Sequence, residues 1–186
     1  MATVTKQLTL EQFLELPEKK PALEFEEGRV TQKVSPKAKH STLQYKLAVF
    51  FNQVGEPAKL AFAFPELRET YAGRSYVPAV SVFTWDRIPL DAHGEPVDDL
   101  FVPPDITIEI RSPRQSLDRL VRRCLWYVAN GVRLALLVDP ILRSVRLFLP
   151  GEEPRELRDG DLIDLGDLLP GFQLTVDELF GFLRIA

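Results

Sequence analysis

The sequence predicts a mixed α/β (α+β) protein in which a central mixed β-sheet is flanked by helices, and three observations carry that expectation. Apolar residues recur at helical spacing in separate segments, as in Leu43, Leu47, Phe50, Phe51 and Val54. Short runs rich in β-branched and aromatic residues lie between them, as in KLAFAF and ITIEI. Glycine, proline and asparagine punctuate the junctions. Along the chain the order is α, ββ, α, βββ, α, ββ, minor strands and α, which excludes an all-α or all-β fold.

The first helix is predicted from Leu10 to about Leu16, because Thr9 and Gln12 form a capping box, Leu8 and Phe13 occupy the stapling positions, and Pro17 stops it. Ala22 to Val34 reads as a hairpin around Glu27-Gly28, where glycine tolerates the positive φ of a tight turn. A helix follows from Ser41 until Gly55 and Pro57 end it. Strands are expected at Lys59 to Phe64, at Ser75 to Trp85 and at Asp105 to Arg111, with a turn-rich excursion between the last two. After Ser112-Pro113 a helix presents Leu117, Leu120, Val121, Cys124, Leu125 and Val128 on one face and stops at Asn130-Gly131. Val132 to Val138 and Ser144 to Leu149 are two more strands. A polar hairpin-like tail leads to a last helix opened by the capping box of Thr175 and Glu178.

The 186 residues, 45% hydrophobic and 27% charged, suffice for one sizeable core, so residues 1–186 are expected to form a single domain. One cysteine, Cys124, excludes a disulfide framework and a multi-cysteine zinc site, and suits a reducing, cytoplasmic setting. The opening MATVTKQLTL lacks a signal-type apolar core, and no apolar run approaches the roughly 18 residues of a membrane span, so no membrane association is expected. A net charge of −4 argues against a protein coated in positive charge. Any nucleic-acid site must be local.

Chemistry concentrates in PPDITIEIRSP, residues 103–113. In an extended strand Asp105, Thr107, Glu109 and Arg111 share one face and Ile106, Ile108 and Ile110 the other. Alternation alone is equally met by a half-exposed sheet face kept polar for solubility. The next helix, however, brings Arg119, Arg122 and Arg123 toward Glu109, and a carboxylate beside a cation at a strand end suits phosphodiester hydrolysis. Asp105 and Glu109, about 13 Å apart along a strand, cannot share one ion. His93 reads as solvated. Trp85 and Trp126 lack the basic interleaving of a base-stacking surface, and no phosphate-cradling glycine loop is present.

TLEQFLELPE, LEFEEGRV, SPKAKH, VPAV, PPDITIEIRSP, WYVANGV with the strand ending in VDP, and LPGFQLTVDELF occur in a specific order. By these segments the chain resembles, over nearly its whole length, the bacterial putative restriction endonucleases, a cyanobacteria-rich family once of unknown function in the PD-(D/E)xK nuclease superfamily. The resemblance implies a restriction-endonuclease-like αβββαβ core, a Mg²⁺ (or Mn²⁺) site, DNA as substrate or ligand, and a possible homodimer.

Position by position, the resemblance makes Glu109 the motif acid and metal ligand and places Arg111 where the motif has lysine. The family's lysine from the following helix falls on Arg123. Arginine stabilises phosphate charge but stays protonated and cannot act as a base. His40 matches a family histidine that could position water or phosphate, although a lone histidine before a helix is also an ordinary cap or surface residue. Glu24 matches an acid of the first hairpin. The motif's Pro-Asp reads Pro78-Ala79, so its metal-binding aspartate is absent. Glu69, or Glu66, could supply a carboxylate if its segment folds back beside the site. Three readings remain open: a divalent-metal-dependent DNA endonuclease, impaired by Ala79; a catalytically inactive nuclease-fold protein acting as a DNA-binding or regulatory module; and a scaffold for oligomerisation.

Overall fold

The computed structural model describes residues 7–185, so the reading of the leading residues 1–6 lies outside the described residues. Helix α1 (Leu10–Leu14) begins at the expected capping box, with Thr9 and Gln12 exchanging hydrogen bonds at 3.1 and 3.3 Å. Strands β1 (Leu23–Glu26) and β2 (Arg29–Gln32) form the hairpin, and both turn residues, Glu27 and Gly28, have positive φ, the geometry that matches strand twist in a two-residue turn. Helix α2 (Ala38–Gly55) is longer than its apolar pattern. It buries His40, Leu43, Leu47 and Phe51 and ends where a Cβ on Gly55 would lie 2.5 Å from the Ala61 carbonyl oxygen.

One predicted strand divides. Ser75 to Trp85 is not continuous: Arg74–Tyr76 is β5, Val80–Thr84 is β6, and the two belong to different sheets. Pro78 accounts for the break, since it lacks the N–H that a central ladder needs. A further strand, β4 (Glu69–Tyr71), pairs with β5 around Ala72-Gly73, both at positive φ. The remaining elements are β3 (Ala61–Pro65), β7 (Ile106–Ile110), α3 (Leu117–Ala129), β8 (Leu134–Asp139), β9 (Ser144–Phe148), β10 (Arg155–Arg158) and α4 (Val176–Gly181).

The main sheet has the order β10-β9-β8-β7-β6-β3; β7 and β8 are parallel and its other pairs antiparallel. The order α2, β3, β6, β7, α3, β8 is the αβββαβ core of the restriction-endonuclease fold, with the β4–β5 hairpin inserted. A second sheet, β2-β1-β5-β4, collects the two hairpins. Alternation along β7 and β8 divides the core. Ile106, Ile108, Ile110, Leu134 and Leu136 pack with α2 and α4, whereas Ala135 and Leu137 pack with Leu120, Cys124 and Tyr127 of α3. Each of the fully buried isoleucine and leucine side chains contributes about 1.5–3 kcal/mol. Every residue of β7 is buried, which removes the half-exposed reading of its polar face. Among the described residues no helix is long and apolar enough to cross a membrane.

Candidate functional site

Three elements meet at the α3 side of β7. The hairpin strand β1 supplies Glu24, β7 supplies Glu109, and α3 supplies Arg123 with Tyr127 one turn further on the same face. Arg123 engages Glu24 through both forks: Nη1 donates to Oε1 at 2.9 Å and Nη2 to Oε2 at 2.7 Å. The same Nη1 reaches Glu109 Oε1 at 3.4 Å, and the Tyr127 hydroxyl donates to that oxygen at 2.9 Å. Beneath the guanidinium lies the Tyr76 ring, 4.2 Å from its central carbon. The Val77 N–H adds a bond to Glu24 Oε1 at 3.2 Å. Glu24, Glu109 and Arg123 are 4%, 6% and 9% exposed, so these interactions operate where water screens them little. Burial opposes the charge of Arg123, but Glu109, Tyr127 and Glu24 outweigh it and hold the guanidinium more firmly protonated than a free arginine.

Glu69 is brought nearby by β4. Its Oε1 accepts a short hydrogen bond from Ser81, and its Oε2 meets no donor among the described residues. Complete burial pushes its carboxyl up to about 8, the Ser81 bond opposes this, and the charge of Glu109 adds to it. Glu69 is therefore mostly a neutral acid at pH 7. His40 sits inside the first turn of α2, not before the helix, and is buried; it caps nothing, the N-cap being Lys37. Burial, then Lys33, lower its imidazole to about 4 against the pull of Glu66, which leaves it neutral.

A cleft of about 300 Å³ opens over this cluster, lined by Glu24, His40, Glu109, Arg114, Arg119 and Arg123 among others. An adjoining hollow shares Thr31, Arg119 and Arg123 and adds Arg29 and Arg122. Arg119 spans the rim, its Nη2 donating to Thr31 Oγ1 of β2 at 3.3 Å. The structure thus brings together Glu24, His40, Glu109 and Arg123, with Glu69 behind them. Arg111 is not in the cluster: β7 ends at Ile110, and the Arg111 guanidinium is held by Asp139 at 2.7 Å and by the Gln115 carbonyl at 3.2 Å. Glu66 pairs with Lys33 at 3.6 Å. His93 is exposed in its turn. Ala79, just before the Val80–Ile108 pair, donates its N–H to the Ile108 carbonyl at 3.1 Å and is packed into the α2-side core.

Tyr127, Tyr76 and Ser81 do not stand out in the sequence. The signal for Tyr127 is its spacing from Arg123, one helical turn on, which puts two polar side chains on a face that otherwise packs Leu120 and Cys124.

A divalent ion of the kind the resemblance implies does not fit these residues as they stand. Both oxygens of Glu24 and one of Glu109 are taken by Arg123, Glu69 is neutral and bonded to Ser81, and alanine occupies position 79. Among the described residues no group of three or more His, Cys, Asp or Glu could hold a metal ion. What the arrangement offers is a fixed internal cation below a cationic rim.

A family model described as putative restriction endonuclease matches residues 10–177. The crystal structure of a putative nuclease belonging to DUF820 from Anabaena variabilis is 36% identical, with a TM-score of 0.92, covering 95% of this chain and 99% of that one. The DrdV–DNA complex is 14% identical at a TM-score of 0.41, over 77% of this chain and 11% of that one. No curated protein matches the chain.

Proposed function

The chain belongs to the Uma2 family of putative restriction endonucleases, and from that premise we propose that its cleft engages the phosphodiester backbone of DNA without hydrolysing it through a divalent ion. The observation that carries the reading is the distribution of charge around the cleft. Arg114 and Arg119 line it, Arg29 and Arg122 line the adjoining hollow, all four are exposed, and none is ion-paired with a carboxylate among the described residues. The nearby acids Glu26 and Glu27 are taken by Arg74, and Glu24 and Glu109 by Arg123. An acidic chain thereby keeps a local cationic rim, the footprint that phosphate binding requires.

Binding of a labelled duplex, followed by fluorescence anisotropy across a salt series, tests this. If the rim arginines each meet one phosphate, log K falls against log salt with a slope of about −3 to −4, and Arg119→Ala makes the slope shallower by roughly one. Absence of salt-dependent binding removes the reading.

A second reading, a Mg²⁺- or Mn²⁺-dependent DNA endonuclease, draws on Glu69, a further acid close enough to Glu109 for their charges to couple. Metal-dependent cleavage that disappears in Glu109→Ala establishes it in place of the first. A homodimer, with one cleft for each strand of a duplex, belongs to either reading and is read from the mass in solution by light scattering.

A further inference from the structure

We propose that the guanidinium of Arg123 is a built-in substitute for a divalent cation, and that removing it uncovers a divalent-cation site between Glu24 and Glu109. This deepens the non-hydrolytic reading, on which it rests for the identity of the cleft, but it does not require that DNA bind.

Nη1 of Arg123 touches an oxygen of Glu24 at 2.9 Å and one of Glu109 at 3.4 Å, so two carboxylates from different sheets converge within one atom's reach. Two buried carboxylates need positive charge between them, or one must take up a proton. Arginine supplies that charge in a form suited to this place. Its planar fork matches both oxygens of Glu24, and its face lies on the Tyr76 ring, an interaction that a small hydrated ion has no equivalent means of making. Once the fork is gone, what remains is the donor set a hard divalent ion accepts: one or two carboxylates, with water completing the shell from a cleft that is already open.

The experiment is thermal unfolding of the wild-type chain and of Arg123→Met, a replacement that keeps length without charge, in EDTA and in Mn²⁺. The wild-type midpoint should not move with Mn²⁺. Arg123→Met should melt lower in EDTA and rise by roughly 5–10 °C when Mn²⁺ is about 100 times its Kd. Adding Glu24→Gln or Glu109→Gln to Arg123→Met should abolish the rise. If Arg123→Met does not fold in EDTA, its refolding yield with and without Mn²⁺ reads the same property, a higher yield with metal supporting the proposal and an equal yield overturning it. The proposal is also overturned by a wild-type midpoint that rises with Mn²⁺ in a Glu109-dependent way, or by an Arg123→Met midpoint indifferent to Mn²⁺. Failure of DNA binding alongside the expected Mn²⁺ response would sink only the earlier reading.

Discussion

At one end of β7, Asp105 accepts hydrogen bonds from the Thr84 N–H at 2.8 Å and the Thr84 hydroxyl at 3.0 Å, with Arg87 at 2.5 Å and Arg133 at 3.5 Å on its other oxygen. At the other end, Glu109 concentrates its bonds on one oxygen, from Tyr127 and from a guanidinium it shares with Glu24. Both are buried acids met by arginine. Asp105 is saturated from both sides and ties the end of β6 and the start of β8 to β7, so its bonds are structural. Glu109 is held by one cation at the floor of a cleft. The number and source of the donors separate the two roles, whereas burial and residue type do not.

The sharpest way to break that comparison is to remove one arginine at each end. Arg123→Ala should cost about 3–5 kcal/mol, because it strands two buried carboxylates at once. Arg87→Ala should cost about 1–2 kcal/mol, since Asp105 keeps Thr84 and Arg133. Urea denaturation of the two variants measures the difference. Equal losses would mean that the shared guanidinium at Glu109 holds no more than one ordinary ion pair.

A pH titration sharpens the comparison further, because Glu69, beside Glu109, holds a proton near neutral pH. Glu69 has its carboxyl raised from 4.5 to about 8, by burial first and then, against the Ser81 bond, by Glu109. The folded chain therefore keeps a proton that the unfolded chain gives up, a stability present in full below pH 4.5 and lost as pH rises through about 8. His40, lowered by burial and Lys33 from 6.5 to about 4, acts in the opposite sense: its contribution is present above pH 6.5 and lost as pH falls through about 4. Between pH 6.5 and about 8 only Glu69 of this pair changes, and stability should fall by about 2 kcal/mol. Glu69→Gln should flatten that fall, as followed by urea midpoints at each pH. A fall that persists in the variant would assign the proton elsewhere.

Much of this was legible in the chain. The capping boxes at Thr9 and Thr175, the Glu27-Gly28 turn and the periodicity of α3 depend on neighbours within a few residues, and these elements formed where the local pattern put them. The division of residues 75–85 between two sheets was only half legible: Pro78 marks where a central strand must stop, but both halves carry the same β-forming residues, and only the tertiary pairing of β5 with β1 and of β6 with β3 decides which sheet each joins. Glu109 and Arg123 could be joined by the spacing of a strand and the helix after it. Glu24 meets them only because the second sheet folds against α3, a contact across 99 residues of chain that no local pattern encodes. Arg111 was a candidate because it stands where the motif has lysine, on the same strand face as Glu109. Alternation says which face a side chain takes, not which carboxylate on that face claims it, and at the strand end Asp139 of the neighbouring parallel strand lies closer.

The smallest difference between the ends lies in their hydroxyls. Tyr127→Phe removes a donor from Glu109 inside the α3-side core, where water does not readily replace it, and should cost about 1–2 kcal/mol. Thr84→Val removes a hydroxyl from Asp105, but the Thr84 N–H stays on the same oxygen, so the cost should be about 0.5 kcal/mol. Combining each with its arginine variant in a double-mutant cycle is the finer measurement. If Glu109 depends on few donors, Tyr127→Phe and Arg123→Ala should be coupled, since each leaves the other as the last strong donor to the same oxygen. Thr84→Val and Arg87→Ala act on opposite oxygens of Asp105 and should add. Additivity at both ends would mean that Glu109 takes its support from the cleft's water rather than from Tyr127 and Arg123.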